Sequence, residues 1–244
     1  MRFQLFLTRI DKLAQVLRSR DLLRALVRNR VLVGAEHRQV LRSDLAAVID
    51  IGANRGQFAL AVKRWSPGAR IIAFEPLPAP AHRFRKVFQG DSRVTLHQVA
   101  IGLAAGDATI HVSGCDDSSS ILPIGAMQER LFPGTGEVRM ETVPMGRLSD
   151  FVSAEEIVSP AMLKLDVQGF ELEAFRGSEV LLDRFQYIYA ECSFVELYTG
   201  QTLADKVILW LSERNFRLRG VYNMFYDKKG QAIQGDFWFQ RNSC

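Results

Sequence analysis

The stretch VIDIGANRGQF, residues 48–58, places two glycines between a run of apolar residues and a segment with helical spacing. Gly52 allows the chain to turn sharply without a Cβ clash, and Gly56 allows the backbone to approach a ligand closely. The helix predicted to begin near Arg55 presents free N–H groups, which favour a carboxylate or a phosphate. This stretch therefore predicts a strand, a ligand-binding turn and a helix.

Strands and helices alternate beyond this stretch. It is followed by the apolar strand ARIIAFEP, the helical PAPAHRFRKVF and a third strand, RVTLHQVAI. The alternation returns further on with AMLKLDV, FELEAFRGSEVLLDRF, QYIYAEC and TLADKVILWLSERNF. Helices between buried strands predict βαβ units, so we expect an α/β fold with a parallel sheet.

Residues 102–160 interrupt this rhythm. GDATIHVSG and EVRMETVPM alternate as antiparallel strands do, and the polar loop DDSSSILPIGAM joins them. We interpret this section as an insertion on the ligand-facing side of the sheet. The tail RLRGVYNMFYDKKGQAIQGDFWFQR predicts two strands joined by a turn at DKKG. Since nothing marks a linker or a repeat, residues 43–244 are predicted to form one domain.

An acidic residue lies nineteen residues after Gly56. Glu75 ends the second predicted strand beside the first βα turn, where it can accept hydrogen bonds from both ribose hydroxyls of an adenosine. A dinucleotide site expects G-x-G-x-x-G, whereas this loop is G-x-x-x-G with Asn54 in place of the second glycine. The loop therefore suits the amino-acid part of S-adenosylmethionine better than a pyrophosphate.

The charge of the chain is unevenly distributed. The formal net charge is +4, but residues 1–42 alone carry +7, which leaves residues 43–244 with −3. The basic character belongs to this N-terminal arm, so we expect no nucleic-acid partner. Residues 1–33 have the spacing of an amphipathic helix. That helix either packs its apolar stripe on the body or makes peripheral contact with a membrane surface.

The cysteines and histidines indicate neither disulfides nor a zinc site. Cys115, Cys192 and Cys244 are widely spaced, and the four histidines lack metal-ligand spacing. We therefore expect a reduced, cytoplasmic protein. The apolar start is too short for a signal peptide, and no stretch reaches the roughly 18–20 apolar residues of a membrane span.

Several segments resemble the FkbM-type S-adenosylmethionine-dependent methyltransferases. They are VIDIGANRGQF, IIAFEPLP, VTLHQVAIG with GDATIHV, SSSIL and MLKLDVQGFELEAFRG, within about residues 46–195. The resemblance implies a Rossmann-like, seven-stranded, mostly parallel sheet with helices on both faces. It also implies methyl transfer from S-adenosylmethionine to a hydroxyl of a sugar, glycolipid or secondary metabolite. Gln168 and Phe170 depart from the family pattern, which usually has Glu and a small residue there.

The resemblance further implies a set of cofactor-binding residues. Those expected around the methionine part of S-adenosylmethionine are Asp50, Gly52, Asn54, Gly56 and Phe58. Those expected at the ribose and the adenine are Glu75 with the adjacent Pro76, and Val99 with Ala100. The serine run 118–120, with Ser119 at its centre, is expected at the cofactor or substrate mouth.

Three carboxylates are candidates for the base that takes a proton from the acceptor. Asp166 ends the fourth parallel strand, at the sheet edge where α/β proteins bind ligands, and is the first candidate to act as base or to orient the acceptor. Glu171 begins the next helix and Glu191 ends the fifth parallel strand, so either is an alternative. Two of the three could instead hold a divalent cation such as Mg²⁺.

Two other functions share part of this pattern. An NAD-dependent oxidoreductase also has the strand-end acid, but its loop needs the second glycine. A non-catalytic binding module on a methyltransferase fold would bind the cofactor without turnover. The combined residues favour an S-adenosylmethionine-dependent O-methyltransferase.

Overall fold

A seven-stranded sheet forms the centre of the protein, in a computed structural model that describes residues 19–242. The described strands, in chain order, are β1 (Ala47–Ile51), β2 (Arg70–Phe74), β3 (Val94–His97), β4 (Ala100–Ile101), β5 (Gly106–Ser113), β6 (Glu137–Gly146), β7 (Ala161–Leu165), β8 (Tyr187–Ser193), β9 (Phe216–Tyr226) and β10 (Ala232–Arg241). The main sheet has the order β3-β2-β1-β7-β8-β10-β9. Strand β10 runs antiparallel to β8 and β9, and the other pairs are parallel. The predicted Rossmann-like, mostly parallel sheet is confirmed.

Helices cover both faces of this sheet, as predicted. The described α-helices are α1 (Arg20–Asn29), α2 (Gln57–Trp65), α3 (Pro78–Val87), α4 (Ala126–Leu131), α5 (Glu171–Ser178) and α6 (Ala204–Ser212). On one face, Phe175 of α5 and Leu211 of α6 belong to the same buried cluster as Ile49. On the other face, Ala25 of α1 and Phe58 of α2 pack in a second cluster. Because both faces are covered, the parallel strands are apolar along most of their length.

Two charged residues interrupt the apolar central strands. All five residues of β1 and all five of β7 are buried. The register places Asp50 of β1 directly beside Lys164 of β7. Removing one charge from water is costly, so each of these side chains depends on the other for its burial.

The insertion forms a second, three-stranded sheet with the order β4-β6-β5. Strands β5 and β6 are antiparallel, as predicted. The single strand that the sequence predicts over residues 93–101 is wrong. The chain leaves the main sheet after β3, and Ala100 and Ile101 pair with Met145 and Gly146 of β6. Apolar spacing identifies both segments as strands, but it does not reveal that they belong to different sheets.

The N-terminal arm is described from residue 19 onward. Ser19 caps α1 by accepting a hydrogen bond from the Leu22 backbone N–H. The helix ends at Asn29, and the next residue, Arg30, has backbone angles in the left-handed region. Leu22 and Ala25 are buried, so this part of the arm packs on the body. Residues 1–18 lie outside the described residues, so the membrane contact predicted for residues 1–33 stays a prediction, as does the boundary at residue 42. No helix within 19–242 is long and apolar enough to cross a bilayer.

Candidate active site

A cavity of about 620 Å³ opens where the central parallel strands end. Its walls come from the segments after β1, β2 and β7, from the region of β4 and β8, and from residues 30–37 of the arm. Open α/β sheets bind ligands at this edge, and small-molecule pockets have volumes of about 300–1,000 Å³. Most of the predicted site residues line this cavity, namely Gly52, Asn54, Phe58, Glu75, Pro76, Val99, Ala100, Ser119, Asp166 and Glu191.

The two glycines of the first turn serve different contacts. Gly52 has a φ of +78°, and a Cβ at this position would lie 1.8 Å from the backbone oxygen of Asp166. Only glycine therefore lets the turn after β1 approach the end of β7. Gly56 also has positive φ, but its missing Cβ makes room for the ring of Phe88, which a Cβ would meet at 2.6 Å. Gly56 does not line the cavity. The need for glycine at this position therefore comes from packing against α3 and not from the close approach of a ligand.

Glu75 presents a buried carboxylate at the cavity wall. Its side-chain oxygens accept hydrogen bonds from the backbone N–H groups of Asn54 and Leu77, each at 2.9 Å. These bonds fix the carboxylate between the turns that follow β1 and β2. Burial raises the pKa of Glu75 to about 7, although both backbone N–H groups favour the ionised form. Each oxygen has a second lone pair with which to accept a hydroxyl.

Asp50 contributes to the site through Lys164 rather than by lining the cavity. Its Oδ1 atom lies 3.0 Å from Lys164 Nζ, and the carboxylate is fully buried. The Lys164 ammonium also donates to the carbonyl of Gly52 at 3.0 Å and lies 3.8 Å from Asp166 Oδ2. Burial lowers the pKa of Lys164, but the carboxylates of Asp50 and Asp166 raise it overall, so the ammonium keeps its charge. The pair therefore fixes the turn that carries Gly52.

Gln168 joins two of the predicted catalytic carboxylates. Its Nε2 group donates to Asp166 Oδ1 and to Glu191 Oε2, each at 2.7 Å. Its Oε1 atom accepts a hydrogen bond from the Tyr198 hydroxyl at 2.6 Å. The Ser120 hydroxyl donates to the backbone carbonyl of Gln168, also at 2.6 Å. Burial, followed by the neighbouring charge of Asp166, raises the pKa of Glu191 well above its ordinary value. Asp166 and Glu191 thus lie together at the cavity wall.

Glu171, the third predicted carboxylate, is not part of the cavity lining. It is fully buried, and its Oε1 atom accepts hydrogen bonds from the backbone N–H groups of Val167 and Gly169 at 3.2 and 3.1 Å. Burial raises its pKa to about 7. Glu171 therefore holds the loop that carries Gln168, and the structure does not bring it to the position expected of a base.

The serine run is held by hydrogen bonds within the protein, so its hydroxyl groups are not all free to face a ligand. Ser119 lines the cavity, and its Oγ atom accepts a hydrogen bond from the backbone N–H of Ser113 at 3.1 Å.

Within residues 19–242, no group of three or more His, Cys, Asp or Glu side chains is arranged to hold a metal ion. The alternative in which two of the three carboxylates hold a divalent cation is therefore not supported by any such cluster in this part of the chain.

A second polar cluster lines the same cavity next to Glu191. His37 Nδ1 lies 3.0 Å from the Tyr189 hydroxyl, which donates to Asp236 Oδ2 at 2.7 Å. The side-chain amide of Asn223 donates to the same Asp236 oxygen at 2.7 Å. Burial raises the pKa of Asp236, while His37, Asn223 and Tyr189 favour its ionised form. The register of β8 and β10 places Asp236 beside Glu191, which joins this cluster to the first network.

Sequence reasoning missed Lys164 and this second cluster. A signal existed for Lys164, because a lysine inside the apolar strand AMLKL needs a buried partner. The cluster residues come from four separate segments, so no spacing along the chain connects them.

A family model and two relatives in sequence point to one family. A family model described as the methyltransferase FkbM domain matches residues 50–218. The chain is 30% identical over 174 residues to the 2-O-methyltransferase NoeI of Sinorhizobium fredii, covering 68% of this chain and 72% of that protein. It is 29% identical over 182 residues to the 31-O-demethyl-FK506 methyltransferase FkbM of Streptomyces tacrolimicus, covering 64% and 69%. Among solved structures, it is similar to a precorrin-6y C5,15-methyltransferase of Geobacter metallireducens, with a TM-score of 0.46, 12% identity and 84% of each chain covered.

Proposed function

Because the chain belongs to the FkbM methyltransferase family, we propose that it transfers the methyl group of S-adenosylmethionine to a hydroxyl oxygen of a small acceptor. Family membership makes it a methyltransferase and removes the NAD-dependent oxidoreductase as an alternative. The names of both relatives specify an oxygen as the methylated atom. A sugar, a glycolipid or a secondary-metabolite alcohol is the acceptor class that we propose.

The position of Glu75 is the observation that carries this proposal. Its carboxylate is buried at the cavity wall, and two backbone N–H groups hold it there. A vicinal ribose diol offers two O–H donors, which match the two oxygens and their remaining lone pairs. Charge-assisted hydrogen bonds of this kind are about twice as strong as neutral ones. The acceptor oxygens of Glu75 therefore fit the two hydroxyl groups of an adenosine ribose.

The remaining lining fits the other parts of S-adenosylmethionine. Val99 and Ala100 supply an apolar wall beside Glu75 that suits the adenine. The turn at Gly52 and Asn54, tied to Lys164, is the part of the wall proposed for the methionine portion. The cavity volume of about 620 Å³ leaves room for part of an acceptor as well.

The cofactor supplies an electrophilic methyl group on a positively charged sulfur when it is bound. The demand on the protein is to align the acceptor oxygen with that methyl group, since the displacement is in line. We propose that Asp166 and Glu191 accept hydrogen bonds from acceptor hydroxyls, with Gln168 holding both carboxylates in place. Alternating carboxylate and carboxamide groups suit an acceptor with several hydroxyls, as in a sugar.

Two measurements on the wild-type protein test this function. Calorimetric titration with S-adenosylhomocysteine should give saturable binding to folded protein. Transfer of a labelled methyl group should then be screened against methyl glycosides, glycolipids and secondary alcohols, with a transfer RNA as counter-probe. We expect label in an ether product of a hydroxylated acceptor. Folded protein that binds no S-adenosylhomocysteine, or that labels only the RNA, would overturn the proposal.

A further inference from the structure

The N-terminal arm brings one histidine to the cavity from outside the region that the family model matches. Among the described residues, His37 is the only histidine in the cavity lining. Gly34 makes room for its ring, because a Cβ there would lie 2.7 Å from His37 Cδ2. The Gly34 N–H donates to the carbonyl of Gln57 at 3.0 Å, which ties the arm to the first residue of α2. Edge contacts with the rings of Phe58 and Tyr189 then hold the imidazole in place.

The hydrogen-bond chain decides which nitrogen of His37 carries the proton. The single hydroxyl proton of Tyr189 is donated to Asp236 Oδ2, so the hydroxyl oxygen is an acceptor toward His37. The Nδ1 atom, 3.0 Å away, must then be the protonated nitrogen, which leaves a lone pair on Nε2. Within residues 19–242, no hydrogen bond engages Nε2, and Glu36 Oε1 lies 4.0 Å from it.

The neighbouring carboxylates are already engaged. Asp166 accepts from Gln168 on Oδ1, and its Oδ2 atom lies 3.8 Å from Lys164 Nζ. Glu191 accepts side-chain amide N–H groups on both oxygens, from Gln168 at 2.7 Å and from Gln234 at 2.9 Å. These partners suit carboxylates that orient hydroxyl groups. His37 Nε2, by contrast, is a nitrogen lone pair in the same lining that accepts no hydrogen bond from the described residues.

We propose that His37 Nε2 takes the hydroxyl proton of the acceptor during methyl transfer, with Tyr189 and Asp236 as positioning residues. This inference rests on the proposed function. The acceptor oxygen forms its new bond to the methyl carbon while the carbon–sulfur bond breaks and its electron pair stays on sulfur. The hydroxyl proton passes to Nε2, and the imidazolium then returns it to water after the product leaves. No co-reactant beyond S-adenosylmethionine and the acceptor is needed.

The charged surroundings of His37 determine the expected pH dependence. Its own segment contributes Glu36, β8 contributes the neutral hydroxyl of Tyr189, and β10 contributes Asp236 at 3.7 Å from Nδ1. The facing side chain of α2 is the uncharged Phe58, and β1 contributes the buried Asp50, whose ionised form His37 favours. Since Nε2 must be unprotonated to accept a proton, turnover should fall as acid protonates the imidazole.

Kinetics of His37→Gln, measured with the best acceptor from the glycoside panel, test the proposal directly. We expect kcat to fall by about 10²–10³-fold, as for loss of a general base. The acidic limb of the pH–rate profile should disappear, while affinity for S-adenosylhomocysteine stays within about twofold. Asp236→Asn should lower kcat less and keep the limb. The matched control is His82→Gln, an exposed histidine of α3 that should behave as wild type.

Nitrogen-15 NMR of the imidazoles gives a readout that needs no turnover. The His37 signal, assigned by its loss in His37→Gln, should show the Nδ1–H tautomer in the wild-type complex with S-adenosylhomocysteine and should change in Tyr189→Phe. Retained kcat and an unchanged pH profile in His37→Gln would overturn the proposal, as would an Nε2–H tautomer. A large loss of S-adenosylhomocysteine affinity with normal kcat would also overturn it, by moving His37 to cofactor binding. Failure of the proposed function is distinct, because wild-type protein would then bind no S-adenosylhomocysteine or would label none of the hydroxylated acceptors.

Discussion

Cofactor affinity should depend on pH through Glu75. Burial raises the pKa of this carboxyl to about 7 in the ligand-free protein. The ribose hydroxyls need an ionised acceptor, so binding selects the deprotonated form. With a pKa of about 7, the ionised fraction rises from about one-tenth at pH 6 to about nine-tenths at pH 8. Affinity for S-adenosylhomocysteine should therefore rise about tenfold across this interval.

The same pKa predicts the opposite trend for the stability of the ligand-free protein. A carboxyl whose pKa is raised on folding adds stability that is fully present below its unfolded value and is lost as the pH rises through about 7. For Glu75 alone, the free energy of unfolding should fall by about 3 kcal/mol between about pH 4.5 and pH 7. As the pH rises toward 7, ligand affinity and ligand-free stability should thus change in opposite directions.

Glu75→Gln removes both trends in one nearly isosteric change. The amide keeps one acceptor oxygen, but its NH₂ group faces a backbone N–H and cannot accept from it or from a hydroxyl. Loss of one or two charge-assisted hydrogen bonds, each about 1.5–3 kcal/mol, should weaken S-adenosylhomocysteine binding at pH 8 by about 10–100-fold or more. The wild type and the variant should differ less in their free energy of unfolding, measured in urea, at acid pH than at pH 8. The reason is that the buried Glu75 carboxyl is uncharged at acid pH, as the amide is at every pH.

Calorimetry at several pH values in buffers of equal ionic strength measures these effects. Glu173→Gln is the matched control, since this acid lies on α5 outside the cavity lining and should keep the wild-type pH dependence. Equal affinity of wild type at pH 6 and pH 8 would contradict the reasoning. So would a Glu75→Gln variant that binds as tightly as the wild type at pH 8.

Three further predictions test the framework of the site. Gly52→Ala should cost more than about 3 kcal/mol of unfolding free energy because its Cβ would overlap backbone, whereas Gly90→Ala, also at positive φ but with open space, should cost about 1–2 kcal/mol in urea denaturation. Lys164→Met should cost about 3–5 kcal/mol because it leaves Asp50 buried without its partner, and adding Asp50→Asn should recover part of that loss. Gln168→Glu replaces a donor between two carboxylates by a third acid, so its turnover should fall as the pH rises, in a pH–rate profile compared with wild type.

The position of the residues proposed to bind the cofactor could be predicted because its determinants are local in the chain. A strand, a turn with Gly52 and a second strand ending in Glu75 must bring these two residues together, since adjacent parallel strands end at one sheet edge. Asp166 follows from the same rule, because β7 is the other neighbour of β1. These predictions required only the strand assignment and the chemistry of the residue that follows each strand.

Residues whose roles depend on contacts distant in sequence, or on the fine path of a loop, could not be assigned. The reason for glycine at position 56 is the ring of Phe88, thirty-two residues away, which the sequence does not connect to the turn. Glu171 has the spacing of a site residue, but the loop before it folds so that backbone N–H groups enclose the carboxylate. In both cases the sequence indicates that the residue is important, but it does not identify the group that the residue contacts.

The part of the cavity that we propose for the acceptor contains residues that the family match does not include. His37 lies before residue 50, while Asn223 and Asp236 lie after residue 218. Each comes from a different segment, and β8 joins them through Glu191 to the part of the cavity proposed for the cofactor. A chain can therefore keep every motif that binds the cofactor and still replace the residues that face the acceptor. Since scaffold and site vary independently, relatives that share the turn at Gly52 and the acid at Glu75 need not share an acceptor. Differences in acceptor among such relatives should correlate with these three positions.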